Sequence, residues 1–507
     1  MVEIAAKYDP PHRERYLKAA NEFRLPYLDY FRARDDRGVK VPGPSEDKWS
    51  KYDFRLPDVL NEPRINVKLP PLDNIEEIDN PLYTYKFKDN HNLPQEDWGQ
   101  VNTPGQPPQF STSQTLRWPT SATQTEHDLE ALSISLNQAR AGGITTFFDL
   151  ISTAPYATLE AVASDRLVRG DMTTFRKLNE DNQVIGSGSI EGFHGNYHIF
   201  IGGNSGHMSV VPIAAFDPVF WLHHAQVDRV WSLWQAFHPD VWFPPAKKAG
   251  QQADNEKDLL PFYLQRDRPG KGKFYNSDNT KSTEDLGYVY DDFIGLGGKK
   301  DELLSRLKAK YDWQRIKPDD PSVTDPNEAM KPLFNKIHSS YFLANLKSPK
   351  TLTPAVPAPS TSTTRRRSRK PLQSLVAQSA ATAKIDAIFD REWYVDTTVL
   401  RSAANGPFTI YFFLAPQGEV TSDGASLAQS PFLAGINHMF VASAEACDNC
   451  GDLEALRQMS SETTPITPLL LTYLELEDNE LESLRPEHVK PFLVQYLRWR
   501  VVFVSPN

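Results

Sequence analysis

Five of the twelve histidines in this 507-residue chain lie between residues 194 and 224, and this cluster is where the sequence could do chemistry. His194 and His198 are four residues apart, so on a helix both imidazoles would share one face, about 6 Å apart at Cβ. Neutral imidazoles without a thiolate suit copper, zinc or iron. A lone histidine is more often a core residue bonded to a backbone carbonyl, but five at this density favour a metal site.

A second histidine pair follows in the segment FDPVFWLHHAQVDR, residues 216–229. Asp217-Pro218 is typical of a helix start, because proline is tolerated in the first turn and an acidic residue complements the helix dipole. The helix would carry His223 and His224 among apolar and aromatic side chains. Asp228 lies one helical turn after His224, where a carboxylate could orient a ligand imidazole.

Helices must therefore position these histidines, and helical patterns recur in the first half of the chain. Residues 13–23 are amphipathic and rich in helix formers, and the pattern ends before Pro26. Helix signals return between residues 127 and 175. Between residues 41 and 120 prolines recur every few residues, which predicts an ordered, loop-rich region with only short strands such as 82–87.

The composition changes near residue 350. Residues 351–370 read TLTPAVPAPSTSTTRRRSRK, which cannot bury enough surface to order itself and predicts a linker. Its basic run, 365–370, could be a nuclear-localisation or nucleic-acid patch, an exposed protease site, or solvated charge. We favour solvated charge, because five charges in a linker specify little.

Beyond the linker, β-branched and aromatic runs separated by Gly and Asn turns predict a β-rich second domain. The predicted strands are 393–400, 407–415, 438–443, 469–476 and 496–504. We therefore expect a mainly α domain at residues 1–345, a linker at 346–384 and a β-sandwich-like domain at 385–507.

Composition limits the class of protein. Asp and Glu outnumber Lys and Arg by 65 to 55, and the net charge of −10 argues against a general nucleic-acid binder. No run of about 18 apolar residues is present to span a membrane. The first residues lack the apolar core of a signal peptide, and two cysteines cannot build a disulfide framework. Both features favour an intracellular, reducing compartment.

The order of the residues between 194 and 229 resembles the second copper-binding segment of tyrosinases, the type-3 copper proteins that oxidise phenols and catechols. His194-x-x-x-His198 is followed by Gly-Gly and Gly-His-Met turns and then by the 216–229 segment. The resemblance implies that His194, His198 and His224 bind the copper called CuB, with His223 a neighbour and not a ligand. Glu191 would hold a water that helps to deprotonate a phenol.

The resemblance also implies roles around the substrate. Met208 and Val211 match residues that line the substrate ring. Gly195 occupies a position that is often Asn in enzymes acting on monophenols, and a glycine offers that water no side-chain hydrogen bond. The implied activity is oxidation of o-diphenols more than hydroxylation of monophenols, with copper as cofactor, O2 as co-substrate and pigment formation as the outcome.

Further segments resemble the fungal form of this family. Residues 24–30, RLPYLDY, resemble its Arg-x-Pro-Tyr-Trp-Asp-Trp turn with both tryptophans replaced, and residues 286–290 resemble the end of its catalytic domain. The β-rich part resembles the shielding domain that covers the fungal site until the linker is cut. Cys447 and Cys450 form a CxxC pair suited to Cu(I) capture or redox exchange, and in this family to copper delivery; a pair of reduced loop cysteines is the alternative.

The first copper site of the family, CuA, needs three more histidines before the Pro-Tyr turn, and here only His12 precedes Pro26. The residues around His12 fit the helix after the CuA ligands better than a ligand segment. Reduction of dioxygen takes two electrons, which a copper pair supplies and a single ion does not. We therefore expect an N-terminally truncated tyrosinase or catechol oxidase that is inactive as written. A non-catalytic copper or oxygen carrier and an inactive paralogue are the alternatives.

Overall fold

The computed structural model describes the chain in segments, with a mainly helical part up to residue 311 and a β-rich part from residue 392. The described residues are 1–34, 39–44, 48–50, 53–87, 113–120, 124–152, 159–163, 166–167, 177–178, 184–186, 189–243, 252–268, 271–311, 392–421, 424–442, 458–476 and 481–503.

The helices and strands of these segments are numbered here along the chain. The helices are α1 (Val2–Ala5), α2 (Pro10–Glu22), α3 (Asp58–Asn61), α4 (Leu129–Ser152), α5 (Leu159–Ala163), α6 (Ile190–Gly202), α7 (Val219–Phe237), α8 (Lys300–Tyr311), α9 (Gly424–Leu427), α10 (Thr467–Glu475) and α11 (Pro486–Tyr496). The strands are β1 (Val39–Val41), β2 (Lys48–Ser50), β3 (Arg64–Leu69), β4 (Asn74–Asp79), β5 (Arg166–Leu167), β6 (Lys177–Leu178), β7 (Val184–Gly186), β8 (Tyr263–Arg268), β9 (Lys271–Phe274), β10 (Tyr394–Leu400), β11 (Phe408–Leu414), β12 (Leu433–Met439), β13 (Met459–Pro465) and β14 (Leu497–Phe503).

Helices α4, α6 and α7 pack against one another around the main apolar core. Phe147 of α4, Tyr197 of α6 and Trp234 of α7 are all buried there. This core is the frame that holds α6 and α7, which carry the predicted histidines, side by side. In the part of the chain that the structure describes, no helix is both long and apolar enough to cross a membrane.

Local sequence sets the ends of the two histidine helices. Ser189 caps the start of α6, where its Oγ accepts the backbone N–H of Gly192 at 3.1 Å, and Gly203 follows its last residue with a φ of 69°, in the left-handed region. α7 begins after Asp217, whose Oδ1 accepts the backbone N–H of Val219 at 3.1 Å. The helix start expected at Asp217-Pro218 is therefore present.

A buried ion pair ties the loop-rich region before α4 to the start of α7. Arg117 Nη2 donates to Asp217 Oδ1 at 2.7 Å and Arg117 Nε donates to Oδ2 at 3.0 Å, and neither side chain is exposed. Arg117 Nη1 also donates to the backbone carbonyl of Leu60 at 2.8 Å. The position of α7, and so of its histidines, depends on these loops.

Two predicted strands are wrong, and a third, 438–443, is misplaced, because β12 ends at Met439 and contains only its first two residues. Residues 82–87 form only an isolated bridge, between Lys86 and Gln114, because Asn80 opens a turn in which its Oδ1 accepts the backbone N–H of Leu82. Residues 469–476 lie mostly in helix α10, because Pro468 stands in its first turn and leucine is a good helix former. A run of apolar residues without alternation is compatible with a strand or a helix, so the sequence pattern did not distinguish them.

Two antiparallel three-stranded sheets form the C-terminal part, in the strand orders β12-β11-β14 and β10-β13-β5. β11 is buried along its whole length, whereas β14 is an edge strand. In the second sheet, Met459 and Ser460 of β13 pair with Leu167 and Arg166 of β5. The helical part thus contributes a strand to the C-terminal sheet, and β12 packs on α6. The expected combination of a mainly α part with a β-rich part is confirmed.

Candidate metal centre

Four histidines converge between α6 and α7. His194 and His198 project from α6 and His223 and His224 from α7, and their potential ligand atoms all lie within 4.8 Å of one another. His198 and His223 are fully buried. Among the described residues no other group of three or more His, Cys, Asp or Glu side chains could hold a metal ion.

The hydrogen bond of His198 fixes which of its nitrogens faces the centre. Nδ1 lies 2.5 Å from the carbonyl oxygen of Met208, and because a carbonyl only accepts, Nδ1 carries the proton and Nε2 a lone pair. That Nε2 lies 2.9 Å from Nε2 of His194, which lies 3.3 Å from Nε2 of His224. Two nitrogens bound at ~2.0 Å to one tetrahedral metal lie about 3.3 Å apart, so the spacing fits a shared ion.

Burial keeps these imidazoles neutral. Desolvation lowers the pKa of His194 and of His224 to about 4, and it holds the pKa of His198 and of His223 well below the ordinary value. A neutral imidazole presents a lone pair to a metal without first losing a proton. Four neutral nitrogens without a thiolate are a donor set that suits copper.

An aromatic side chain of the C-terminal part lies against the cluster. The ring of Phe440 stacks on His198 with 3.8 Å between centroids and 16° between planes, and it stands edge-on to His194 at 5.7 Å. A Cβ on Gly195 would lie 3.4 Å from Cβ of Phe440 and 3.1 Å from the carbonyl oxygen of His438. Gly195 therefore lets the end of β12 approach α6 closely, while its expected effect on a water stays a prediction.

Glu191, in the first turn of α6, forms an ion pair with the C-terminal part. Its Oε1 accepts from Nη2 of Arg401 at 2.9 Å, and the two side chains are 29% and 12% exposed. The role implied for Glu191, to hold a water beside a phenol, stays a prediction. In this arrangement its negative charge faces a guanidinium.

Asp228 bonds two tyrosine hydroxyls, and its expected role of orienting a ligand imidazole stays a prediction. Asp228 Oδ2 accepts hydrogen bonds from the hydroxyls of Tyr288 at 2.7 Å and Tyr290 at 2.5 Å. Helix side chains lean toward the N-terminus, so the His224 ring lies over Phe220, 4.0 Å away between centroids, and not over the following turn. Asp228 anchors the segment 286–290 to α7.

The remaining predicted residues lie at different distances from the centre. Met208 is buried and contacts the cluster through its backbone carbonyl. Val211 is half-buried, and its role beside a substrate ring stays a prediction, as does that of the Met208 side chain. His12, on α2, lies 3.5 Å from Asp73 Oδ2 and is not part of the cluster.

Three residues at the centre were not predicted: Tyr30, Arg401 and Phe440. Tyr30 lies in the RLPYLDY segment, and its replacement of a tryptophan was the available signal. Arg401 and Phe440 reach the site from more than 200 positions away in sequence, and no local pattern marks them. Cys447, Cys450, the linker and its basic run lie outside the described residues.

Comparison with known proteins identifies the family. Residues 11–237 match the common central domain of tyrosinase, and residues 392–506 match the tyrosinase C-terminal domain. The chain belongs to the tyrosinase family. Copper is the metal of tyrosinases, in agreement with the donor set of the histidine cluster.

Fungal tyrosinases are among the similar proteins. The tyrosinase of Neurospora crassa is 23% identical over 97% of this chain and 72% of its own length, and that of Podospora anserina is 25% identical over 82% and 65%. A recombinant mushroom tyrosinase structure matches with a TM-score of 0.61 at 18% identity, over 99% of this chain and 72% of that one. The structural likeness is one of fold.

Proposed function

We propose that the histidine centre of this protein is a copper site of the kind that oxidises phenols and o-diphenols to o-quinones with molecular oxygen. One observation carries the proposal: ring nitrogens of His194, His198 and His224 converge in a buried site on helices that match the tyrosinase central domain. Copper bound there supplies Lewis-acid and electron-transfer chemistry. The protein's part is to hold three neutral imidazoles in place and to exclude water from them.

Residues of the chain also define how a substrate would meet this centre. A phenol ring would take the place of Phe440, which now stacks on His198. Glu191 would accept the phenol proton through a water once Arg401 no longer pairs with it. The described arrangement is therefore a covered form of the site, in which the C-terminal part occupies the substrate position and neutralises the base.

The finer proposal is that the 507-residue chain by itself binds one copper ion and does not turn over catechols. The histidine cluster fits one ion, because its ligand atoms lie within 4.8 Å of one another. A single Cu(I) ion gives up one electron, whereas the oxidation of a catechol to a quinone by dioxygen transfers two electrons.

Copper quantification and a catechol oxidation assay on the purified chain test both the general proposal and the finer one. We expect one copper per chain and no turnover, with binding lost in His194→Ala and kept in His127→Ala, a buried histidine outside the cluster. Two coppers per chain with turnover would contradict the finer proposal only. A chain that binds no copper would contradict the copper centre itself.

A non-catalytic copper-binding role is the second candidate, and the stacking of Phe440 on His198 favours it, because the substrate position is filled. Cutting the chain between the helical and C-terminal parts, followed by copper loading and the same assay, separates the two. Catechol oxidation after the cut supports the enzyme and overturns the finer proposal of a chain without turnover, and a copper-loaded, cut chain without oxidation supports the binding role.

A further inference from the structure

We propose that His223 is a fourth nitrogen ligand, so that this centre holds its copper through four imidazoles. The inference rests on the proposed copper centre but not on phenol oxidation. It departs from the sequence-based expectation, which made His223 a neighbour of three ligands. Its support comes from the ring positions, from an unpaired ring nitrogen and from Tyr30.

The four rings are placed as four imidazoles around one ion would be. The six distances between their centroids run from 4.5 to 5.7 Å. With a metal–nitrogen bond of ~2.0 Å and tetrahedral geometry, ring centroids would lie about 5 Å apart. His223 falls inside this range with each of the other three histidines, at 5.2, 4.5 and 5.1 Å from His194, His198 and His224.

Nε2 of His223 has no hydrogen-bond partner although the side chain is fully buried. Buried polar atoms in proteins are nearly always paired, so an unpaired ring nitrogen inside a group of histidines needs a partner. Ligand atoms of His223 and of the other three histidines lie within 4.8 Å of one another. A metal ion shared with them would satisfy Nε2.

Tyr30 is placed to permit the tautomer of His223 that a ligand needs. Its hydroxyl lies 2.5 Å from Nδ1 of His223 and donates to the backbone carbonyl of the same residue at 3.4 Å. A hydroxyl that donates to the carbonyl can accept from Nδ1–H, which leaves a lone pair on Nε2. Tyr30 itself is held by a parallel stack on Tyr197, 3.6 Å between centroids.

The family motif that residues 24–30 resemble has a tryptophan at the position of Tyr30, and a tyrosine there changes the hydrogen bonds open to His223. An indole N–H only donates, so a tryptophan bonded to Nδ1 would place the proton on Nε2 and exclude it as a ligand. A phenol hydroxyl can both donate and accept, so it can accept from Nδ1–H of His223. Tyr30 is thus a positioning residue for the fourth ligand.

A fourth imidazole has a chemical consequence. A catalytic tetrahedral site keeps one position open, and a site with four protein ligands is closed. A phenol could then reach the metal only after His223 leaves it or the coordination number rises. A centre of this kind would hold its ion tightly and would hinder the binding of a phenol to it.

Copper binding and pulsed electron paramagnetic resonance on the full chain test the inference without any activity measurement. In the Cu(II) form this method counts the remote nitrogens of coordinated imidazoles, and we expect four in the wild type and three in His223→Leu. We expect copper affinity to fall about 100-fold or more in His223→Leu and about tenfold in Tyr30→Phe, which keeps the stacked ring but loses the hydroxyl. His127→Leu is the matched control, since it removes a buried histidine outside the cluster.

The outcomes separate this inference from the proposed function. Three imidazoles in the wild type, or unchanged affinity in both His223→Leu and Tyr30→Phe, overturns the fourth ligand and leaves the copper centre standing. No copper binding by the wild type overturns both. If circular dichroism shows that His223→Leu does not fold, the wild-type nitrogen count and Tyr30→Phe still decide the question.

Discussion

At the scale of single residues, side chains remote from the metal hold its helices in place, and Arg117 is the clearest example. It pairs with Asp217 at the start of α7, and neither side chain is exposed. Replacing Arg117 by Met would leave a buried carboxylate without its partner, which costs about 3–5 kcal/mol of unfolding free energy. Urea denaturation of the Arg117→Met variant measures this loss. The control is Arg64→Met, whose ion pairs with Glu77 and Asp79 are at least half exposed, and there we expect a change below about 1 kcal/mol.

The same pair predicts how stability depends on pH. Burial alone would raise the pKa of Asp217, but the charge and hydrogen bonds of Arg117 outweigh it and hold the pKa below its ordinary value. Since the folded pKa lies below the unfolded one, the stabilisation is complete above about pH 4 and is lost as the pH falls through the folded pKa. In Asp217→Asn, the free energy of unfolding should fall less steeply at acidic pH, as measured by denaturation at a series of pH values. An unchanged loss of stability at acidic pH in the variant would show that other carboxylates cause most of it.

At the scale of elements, helix α6 presents glycines to the strands of the C-terminal part. A Cβ on Gly192 would overlap the carboxylate of Glu462 on β13, which is buried and also accepts from Asn196 Nδ2 at 3.3 Å. Gly192→Ala must displace that carboxylate, and we expect a loss of about 1–3 kcal/mol by thermal denaturation. Gly142→Ala on α4 is the matched control, because its Cβ would meet Pro465 at an ordinary 3.7 Å. There we expect no loss, and a gain of up to about 1 kcal/mol from helix propensity. Equal losses in both variants would mean that the contact with Glu462 is not the cause.

The elements that the sequence predicted well are those with local signals. Asp217-Pro218 and the spacing of His194 and His198 predicted two helices that the structure contains. The leucine-rich run at 469–476 was misread because it lacks the alternation that separates strand from helix. The pairing of β13 with β5 could not be predicted, because strand partners far apart in sequence leave no local pattern. For the same reason the sequence predicted the cluster of histidines but not the contacts that Arg401 and Phe440 make beside it.

At the scale of the whole molecule, the C-terminal part covers the metal centre chiefly through Phe440. Phe440→Ala removes the ring that stacks on His198 and opens a space of aromatic size beside the metal. We expect the copper-loaded variant to bind 4-nitrocatechol, a coloured catechol, more tightly than the wild type, as followed by its absorbance. Trp499→Ala is the control, since Trp499 is an exposed residue of edge strand β14. Equal binding by the wild type and Phe440→Ala would mean that a catechol reaches the metal without displacing this ring.

The strand that β5 contributes to the C-terminal sheet has a consequence for any cut made between the two parts. In the intact chain, re-covering the site is an intramolecular event, and its equilibrium does not depend on protein concentration. After a cut, the pieces remain paired through β5 and β13 and through the packing of β12 on α6, but re-covering becomes bimolecular and dilution favours the open form. A severed peptide bond would thus leave the site closed in a concentrated sample and let it open in a dilute one.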